Sequence, residues 1–231
     1  MKELSQLEDS LGISFRNKDL LQQAFVHRSY LNEHPDFELP HNERLEFLGD
    51  AVLELIVTED LYRSYPKEPE GVLTSWRAAL VNAKMLAQVA GELGFGDYLL
   101  LSRGEGKGEG KGKDYMLANT MEAFIGAFFL DRKLKACEKF IGEHILSKLP
   151  LVLEQKLFMD GKSRFQELSQ EKLGITPTYK VLKEWGPDHA KHFQIGVHLE
   201  EKLVAKGEGS SKQEGEESAA RNAIQAKGWE I

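Results

Sequence analysis

From Leu4 to about Leu153, apolar residues recur at intervals of three and four: Leu20, Leu21, Ala24 and Phe25; Leu73, Trp76 and Leu80; Leu86, Val89, Ala90 and Leu93. That period puts them on single faces of helices, and no stretch alternates as a strand would, so the first part of the chain is expected to be all-α. Pro35, Pro40, Pro66 and Pro69 punctuate the helices. Helical patterning lapses between Pro150 and Gly161, and beyond that point the period changes. Ser163 to Leu173 is helical, Thr178 to Trp185 extended, and Phe193, Ile195, Val197 and Leu199 alternate with polar neighbours as a half-buried strand does. Lys202 to Lys206 reads as a third strand. Ser211 to Lys227, with Ala219, Ala220, Ala223 and Ile224 on one face, closes with a helix. The expectation is an all-α domain over residues 1 to 152, a linker over 153 to 161, and a small α+β domain of order α-β-β-β-α over 162 to 229.

Residues 103 to 113 repeat Gly-Glu-Gly-Lys. Alternate glycines carry too much backbone entropy for regular structure, so a loop is expected there. No Gly-Lys pair in it is followed by the Ser or Thr that a nucleotide-phosphate loop requires. The helix predicted next, Tyr115 to Asp131, is rich in apolar residues, and within it Asn119 and Glu122 share a face at i and i+3. By themselves these are as readily a hydrogen-bonded core pair as a ligand pair.

The densest chemistry lies in His41 to Asp50. On a helix at ~100° per residue, Glu43, Glu46 and Asp50 fall within roughly 60°, while Leu45, Leu48 and Val52 face elsewhere. A solvated acidic face would account for three such acids. Gly49, however, interrupts a strong helical run at a cost of about 1 kcal/mol relative to Ala, which predicts close approach by another element. Carboxylates without His or Cys at ligand spacing suit a hard, oxygen-seeking cation such as Mg²⁺ rather than zinc.

Composition narrows the field further. With 231 residues and 41% hydrophobic content the chain can bury the cores of two domains. No apolar run approaches the ~18 residues that cross a bilayer, and the opening residues do not resemble a signal peptide, so no membrane is expected and the expected address is cytoplasmic. Cys137 is the only cysteine, which excludes an internal disulfide and suggests a buried structural thiol. The net charge of −7 argues against a generally basic nucleic-acid binder, and neither half is basic by itself. Nucleic-acid contact would have to come from a local patch.

Asn42-Glu43-Arg44-Leu45-Glu46-Phe47-Leu48-Gly49-Asp50 resembles the signature of the ribonuclease III endonuclease domain, and the tail resembles a double-stranded-RNA-binding domain. The resemblance implies an endoribonuclease that hydrolyses duplex RNA with Mg²⁺, or Mn²⁺ as substitute, and leaves 5′-phosphate and 3′-hydroxyl ends with a short 3′ overhang. It implies no organic cofactor and a homodimer through the nuclease domain. Ribosomal-RNA precursors, structured messages and tRNA precursors are the substrates it suggests.

Residue by residue, Glu46 and Asp50 match metal-binding acids of the family, and Glu122 matches its essential glutamate. Asp50 and Glu122 are therefore the expected catalytic pair. Glu43 and Glu70 match auxiliary acids. Asn119 stands where most members have Asp, so the quartet Glu46, Asp50, Asn119 and Glu122 carries one negative charge fewer than an all-acid set, and weaker Mg²⁺ affinity is expected. The neutral residue also leaves a second reading, a duplex-RNA-binding protein that cleaves weakly or not at all. In the tail, Ser163, Gln166, Glu167 and Gln170 match the first RNA-contacting helix, and His189 a minor-groove contact. Ser211 and Lys212 open the phosphate-binding last helix, where Gln213 replaces a frequent Lys or Arg. Duplex RNA is read through 2′-hydroxyls and phosphates, which removes the need for a large basic surface.

Overall fold

The fold comes from a computed structural model that describes residues 3–105, 111–187 and 190–229. The chain divides into two compact units, Met1–Glu154 and Gln155–Ile231. The first is helical: α1 (Leu4–Leu11), α2 (Lys18–Ala24), α3 (Arg28–Glu33), α4 (Glu43–Ser64), α5 (Glu70–Val81), α6 (Ala83–Glu92), α7 (Lys111–Arg132), α8 (Leu134–His144) and α9 (Leu149–Glu154). Its one strand-like pairing among the described residues is an isolated bridge between Val26 and Leu100. None of the described helices is long and apolar enough to cross a membrane.

Two elements differ from the periodicity. The loop expected over 103 to 113 ends sooner, because α7 already begins at Lys111. Gly112 falls in its first turn, where backbone N–H groups have no intrahelical partner and glycine gives up little. Likewise α9 extends to Glu154 and the next helix starts at Gly161, so helix occupies both ends of the expected 153 to 161 linker.

Helix α7 runs through the core of this unit. Met121, Ala123, Phe124 and Ile125 have no exposed surface. The Phe124 ring lies 5.0 Å from Phe95, 5.1 Å from Phe140 and 5.6 Å from Phe15, a set of edge and tilted contacts of the kind worth about 0.5–1.5 kcal/mol per pair beyond burial. Glu122, between buried Met121 and Ala123, is thereby carried on a helix that cannot rotate. Cys137 is buried against the same helix, its Sγ facing the Ile125 carbonyl, and burial pushes the thiol up to about 12. It is a core residue, not a nucleophile.

The second unit has α10 (Gly161–Leu173), an antiparallel sheet of β1 (Thr178–Trp185), β2 (His192–Leu199) and β3 (Lys202–Gly209) in that order, and α11 (Lys212–Lys227). This is the α-β-β-β-α order that the alternation predicted. Irregularities in register fall at Val181/Lys183 and Val197/His198. Phe165 of α10, Ile195, Val197 and Leu199 of β2, and Ala219, Ala220, Ala223 and Ile224 of α11 form the core. The alanines let α11 lie close to the sheet.

Candidate functional site

Helix α4 is seated by the residue that begins its signature. Asn42 is buried; its Nδ2 donates to the Ala24 carbonyl at 3.1 Å and its N–H to the Val26 carbonyl at 2.9 Å, while its own carbonyl accepts from Leu45 and Glu46 N–H. Asn42 thus fixes both the start and the rotation of the helix that bears the acids. Glycines then set the approach of α4 to α7. A Cβ on Gly49 would overlap the carbonyl oxygen of Glu122, and one on Gly126 would overlap the carbonyl oxygen of Leu45. The cost of Gly49 in the helix is offset by this backbone-to-backbone packing, as its position predicted. Gly126, its counterpart, and Asn42 were not singled out by the pattern; the signal for Gly126 was a glycine one turn after Glu122 in an apolar helix.

The crossing brings the acids of the two helices within each other's field. Burial, then the charges of Asp50 and Glu46, pushes Glu122 up to about 7. Glu46 is also raised, by burial first and then by Glu43 and Asp50. These are the signs of half-buried carboxylates that repel one another. Asn119 lies half-buried one turn before Glu122 on α7. Among the described residues no three His, Cys, Asp or Glu side chains converge into a closed ligand cluster. The set is open and mutually repelling, and it offers carboxylate and amide oxygens only. That donor chemistry fits a hard divalent cation.

Of the auxiliary acids, Glu43 borders the cluster through its effect on Glu46, whereas Glu70 begins another helix. Glu43 is exposed, 3.9 Å from Arg28 Nη1 and 3.7 Å from His41 Nδ1. Glu70 begins α5, accepts the Thr74 hydroxyl at 2.9 Å, and lines a cavity of ≈ 680 Å³ with Tyr62, Tyr65 and Arg77. From Tyr62 at that cavity an exposed stripe runs back along α4: Phe47, Leu55 and Tyr62 are 80%, 54% and 74% exposed.

In the second unit Ser163, Gln166, Ser211 and Lys212 line one polar groove of ≈ 980 Å³ between the starts of α10 and α11. Ser163 donates to Asp160, and Ser211 caps α11 by accepting Glu214 N–H at 3.1 Å. Lys212 Nζ stands 5.8 Å from the centre of the Phe193 ring. Glu167 and Gln170 are exposed further along, bonded to Lys156 at 2.8 Å and to Thr176 at 3.1 Å. His189 lies outside the described residues. The head of α11 also differs from an open anion site: Glu214 accepts both the N–H and the hydroxyl of Ser210, at 2.7 and 2.6 Å, and these bonds hold its carboxyl below the usual range.

A helical unit whose crossed helices bring repelling acids together is followed by an α-β-β-β-α unit with a polar groove, an arrangement suited to a nuclease with its own nucleic-acid-binding module. Comparison with known proteins agrees for each part. A family model described as Ribonuclease-III-like matches residues 17–149, and one for the double-stranded RNA binding motif matches 162–227. Ribonuclease 3 of Streptococcus pneumoniae (strain P1031) is 42% identical over 226 residues, covering 97% of both chains. Ribonuclease 3 of Enterococcus faecalis (strain ATCC 700802 / V583) is 42% identical over 222 residues, 96% of both. The solved nuclease domain of the Campylobacter jejuni enzyme superposes with a TM-score of 0.58 at 39% identity, covering 64% of this chain and 99% of that one. The chain belongs to the ribonuclease III family. Its activity is that of an endoribonuclease specific for double-stranded RNA, in a family that depends on metal.

Proposed function

We propose that the chain cleaves duplex RNA with Mg²⁺, for which Mn²⁺ substitutes, at a site made of Glu46, Asp50, Asn119 and Glu122. The observation that carries this reading is the close crossing of α4 and α7, with Gly49 against the Glu122 carbonyl, which sets Glu122 in the field of Asp50 and Glu46 and, with burial, pushes it up to about 7; carboxylates that repel at rest are relieved by a cation. The bound metal would polarise the scissile phosphate and lower the pKa of a water, so no covalent nucleophile is needed. Glu122 and Asp50 are the catalytic pair, and would hold the cation and set negative charge beside it. Glu46 anchors the cation from α4, Asn119 contributes a neutral oxygen, and Glu43 and Glu70 are auxiliary. Ser163, Gln166, Glu167, Gln170, His189, Ser211 and Lys212 contact the RNA. Residues 153–161 link a nuclease domain, 1–152, to the RNA-binding domain, 162–229.

The products are 5′-phosphate and 3′-hydroxyl ends with short 3′ overhangs, and the substrates are ribosomal-RNA precursors and structured messages in the cytoplasm. Two strands need two sites, and the exposed stripe of Phe47, Leu55 and Tyr62 is assigned to a second copy of the chain. The Campylobacter nuclease domain is itself described as flexible in a region involved in dimer formation. Phe47→Asp is expected to give a monomer in sedimentation, with duplex cleavage lost; an unchanged dimer sinks this assignment.

The site is tested by titrating Mg²⁺ in a cleavage assay on long duplex RNA. Glu122→Ala should lose at least about 10²-fold in rate, the scale of losing a group that stabilises transition-state charge. Asn119→Asp should reach half-maximal rate at lower Mg²⁺, because it restores one charge. A chain that binds duplex but cleaves at no metal concentration would favour the non-cleaving reading, which the neutral Asn119 supports; Mg²⁺ curves identical for Asn119 and Asp would remove Asn119 from the site.

A further inference from the structure

The start of α10 exposes backbone N–H groups that its own first turn cannot bond. Part of that need is met from α11. Gly161 N–H donates to Glu217 Oε1 at 2.8 Å and Lys162 N–H to Glu217 Oε2 at 3.3 Å. Arg221 Nε steadies the same carboxylate at 2.9 Å, and Lys162 Nζ bonds Glu216 at 2.5 Å. Asp160 completes the cap by accepting Ser163 N–H at 2.9 Å. The sequence makes room for this arrangement: a Cβ on buried Gly161 would stand 2.9 Å from Arg221 Cγ and 3.0 Å from Glu217 Oε1. The two helices that line the polar groove are therefore tied, the start of α10 to the second turn of α11, by a half-buried carboxylate that caps one and belongs to the other.

We infer that Glu217 is a positioning residue for duplex RNA. By bonding the first two N–H groups of α10 from α11, it fixes the offset between the two helix starts, so that Ser163 and Gln166 and the Ser211–Lys212 pair meet one duplex together. It also neutralises the positive end of α10, which leaves side chains rather than the helix terminus to make the contacts. The inference rests on the proposed RNA contacts of α10, and the test separates the two.

The experiment is steady-state cleavage of long duplex RNA by the full chain, with amide exchange followed at Gly161 and Lys162. Glu217→Ala should raise KM about tenfold, a misalignment worth about 1.4 kcal/mol, with kcat at saturating RNA unchanged. Glu217→Gln keeps an acceptor oxygen for Gly161 and should recover part of the loss. Gly161→Ala retains every charge but crowds the carboxylate, and should raise KM in the same direction. Faster exchange at Gly161 with KM unchanged would overturn the inference, as would a lower KM, which would show the carboxylate only repelling phosphate. If Glu217→Ala does not fold, Gly161→Ala decides by the same criterion. If Gln166→Ala also leaves KM unchanged, the failed premise is the RNA contact of α10 and not the tie.

Discussion

Both units gather acids at the junction of two helices, and treat them in opposite ways. In the nuclease unit Glu46 and Glu122 are raised by burial and by neighbouring acids. In the RNA-binding unit Glu216 and Glu217 are paired with Lys162 and Arg221 and bonded to a helix start, and Asp160 is lowered because, against its desolvation, Ser163 bonds the charged form. Carboxylates given donors hold the fold together. Carboxylates denied them oppose the fold and are useful only to a ligand that brings charge. The difference distinguishes a structural cluster from a candidate site without reference to any relative.

The contrast predicts opposite pH responses. The folded Glu122 carboxyl titrates at about 7 against 4.5 in the unfolded chain. A raised carboxylate pKa favours the fold fully below the unfolded value, and that contribution is lost as pH rises through the folded one. Glu122→Gln should abolish cleavage yet stabilise the fold at pH 8 in a chelator by about 1–2 kcal/mol, once solvent screening of a half-buried group is discounted, and so melt at a higher temperature. The gain should vanish near pH 4.5. A destabilised Glu122→Gln at pH 8 would show that the acids do not repel.

Next in size is Asp160→Ala, which removes a cap and should cost the RNA-binding unit about 1 kcal/mol at pH 7 by thermal unfolding. Here the sign reverses. A lowered carboxylate stabilises above its unfolded value and ceases to as pH falls through the folded one, so the difference from Asp160 should shrink in acid. A difference that grew in acid would contradict the cap. The smallest effect expected is on salt dependence. Lys162 and Arg221 are already paired, so the logarithmic slope of duplex affinity against salt should be shallow, about −2 to −4. A slope near that of a strongly basic domain would mean that these pairs break on binding.

Much of this was legible in one sequence. Alternation at Phe193 to Leu199 set the middle strand, and the i, i+3, i+7 spacing put Glu43, Glu46 and Asp50 on one face, because local periodicity follows directly from backbone geometry. The start of α7 was placed too late, since glycine content argued for a loop as far as residue 113, whereas the helix already begins at Lys111 with Gly112 in its first turn. Asn42 stands where a helix cap belongs, yet its side chain bonds Ala24 instead. Nothing in the spacing around Glu217 marks it out. Its role depends on a residue far earlier in the chain, which no local pattern announces.

The sequence by itself determined the element types, the two-part organisation, the helix faces and the identity of the acids. Tertiary structure alone decided which acids repel and which are bonded, because charge state depends on distance and burial across elements. Gly49 illustrates the division: its presence in a helix predicted that something must come close, and only the fold identified Glu122 as what does.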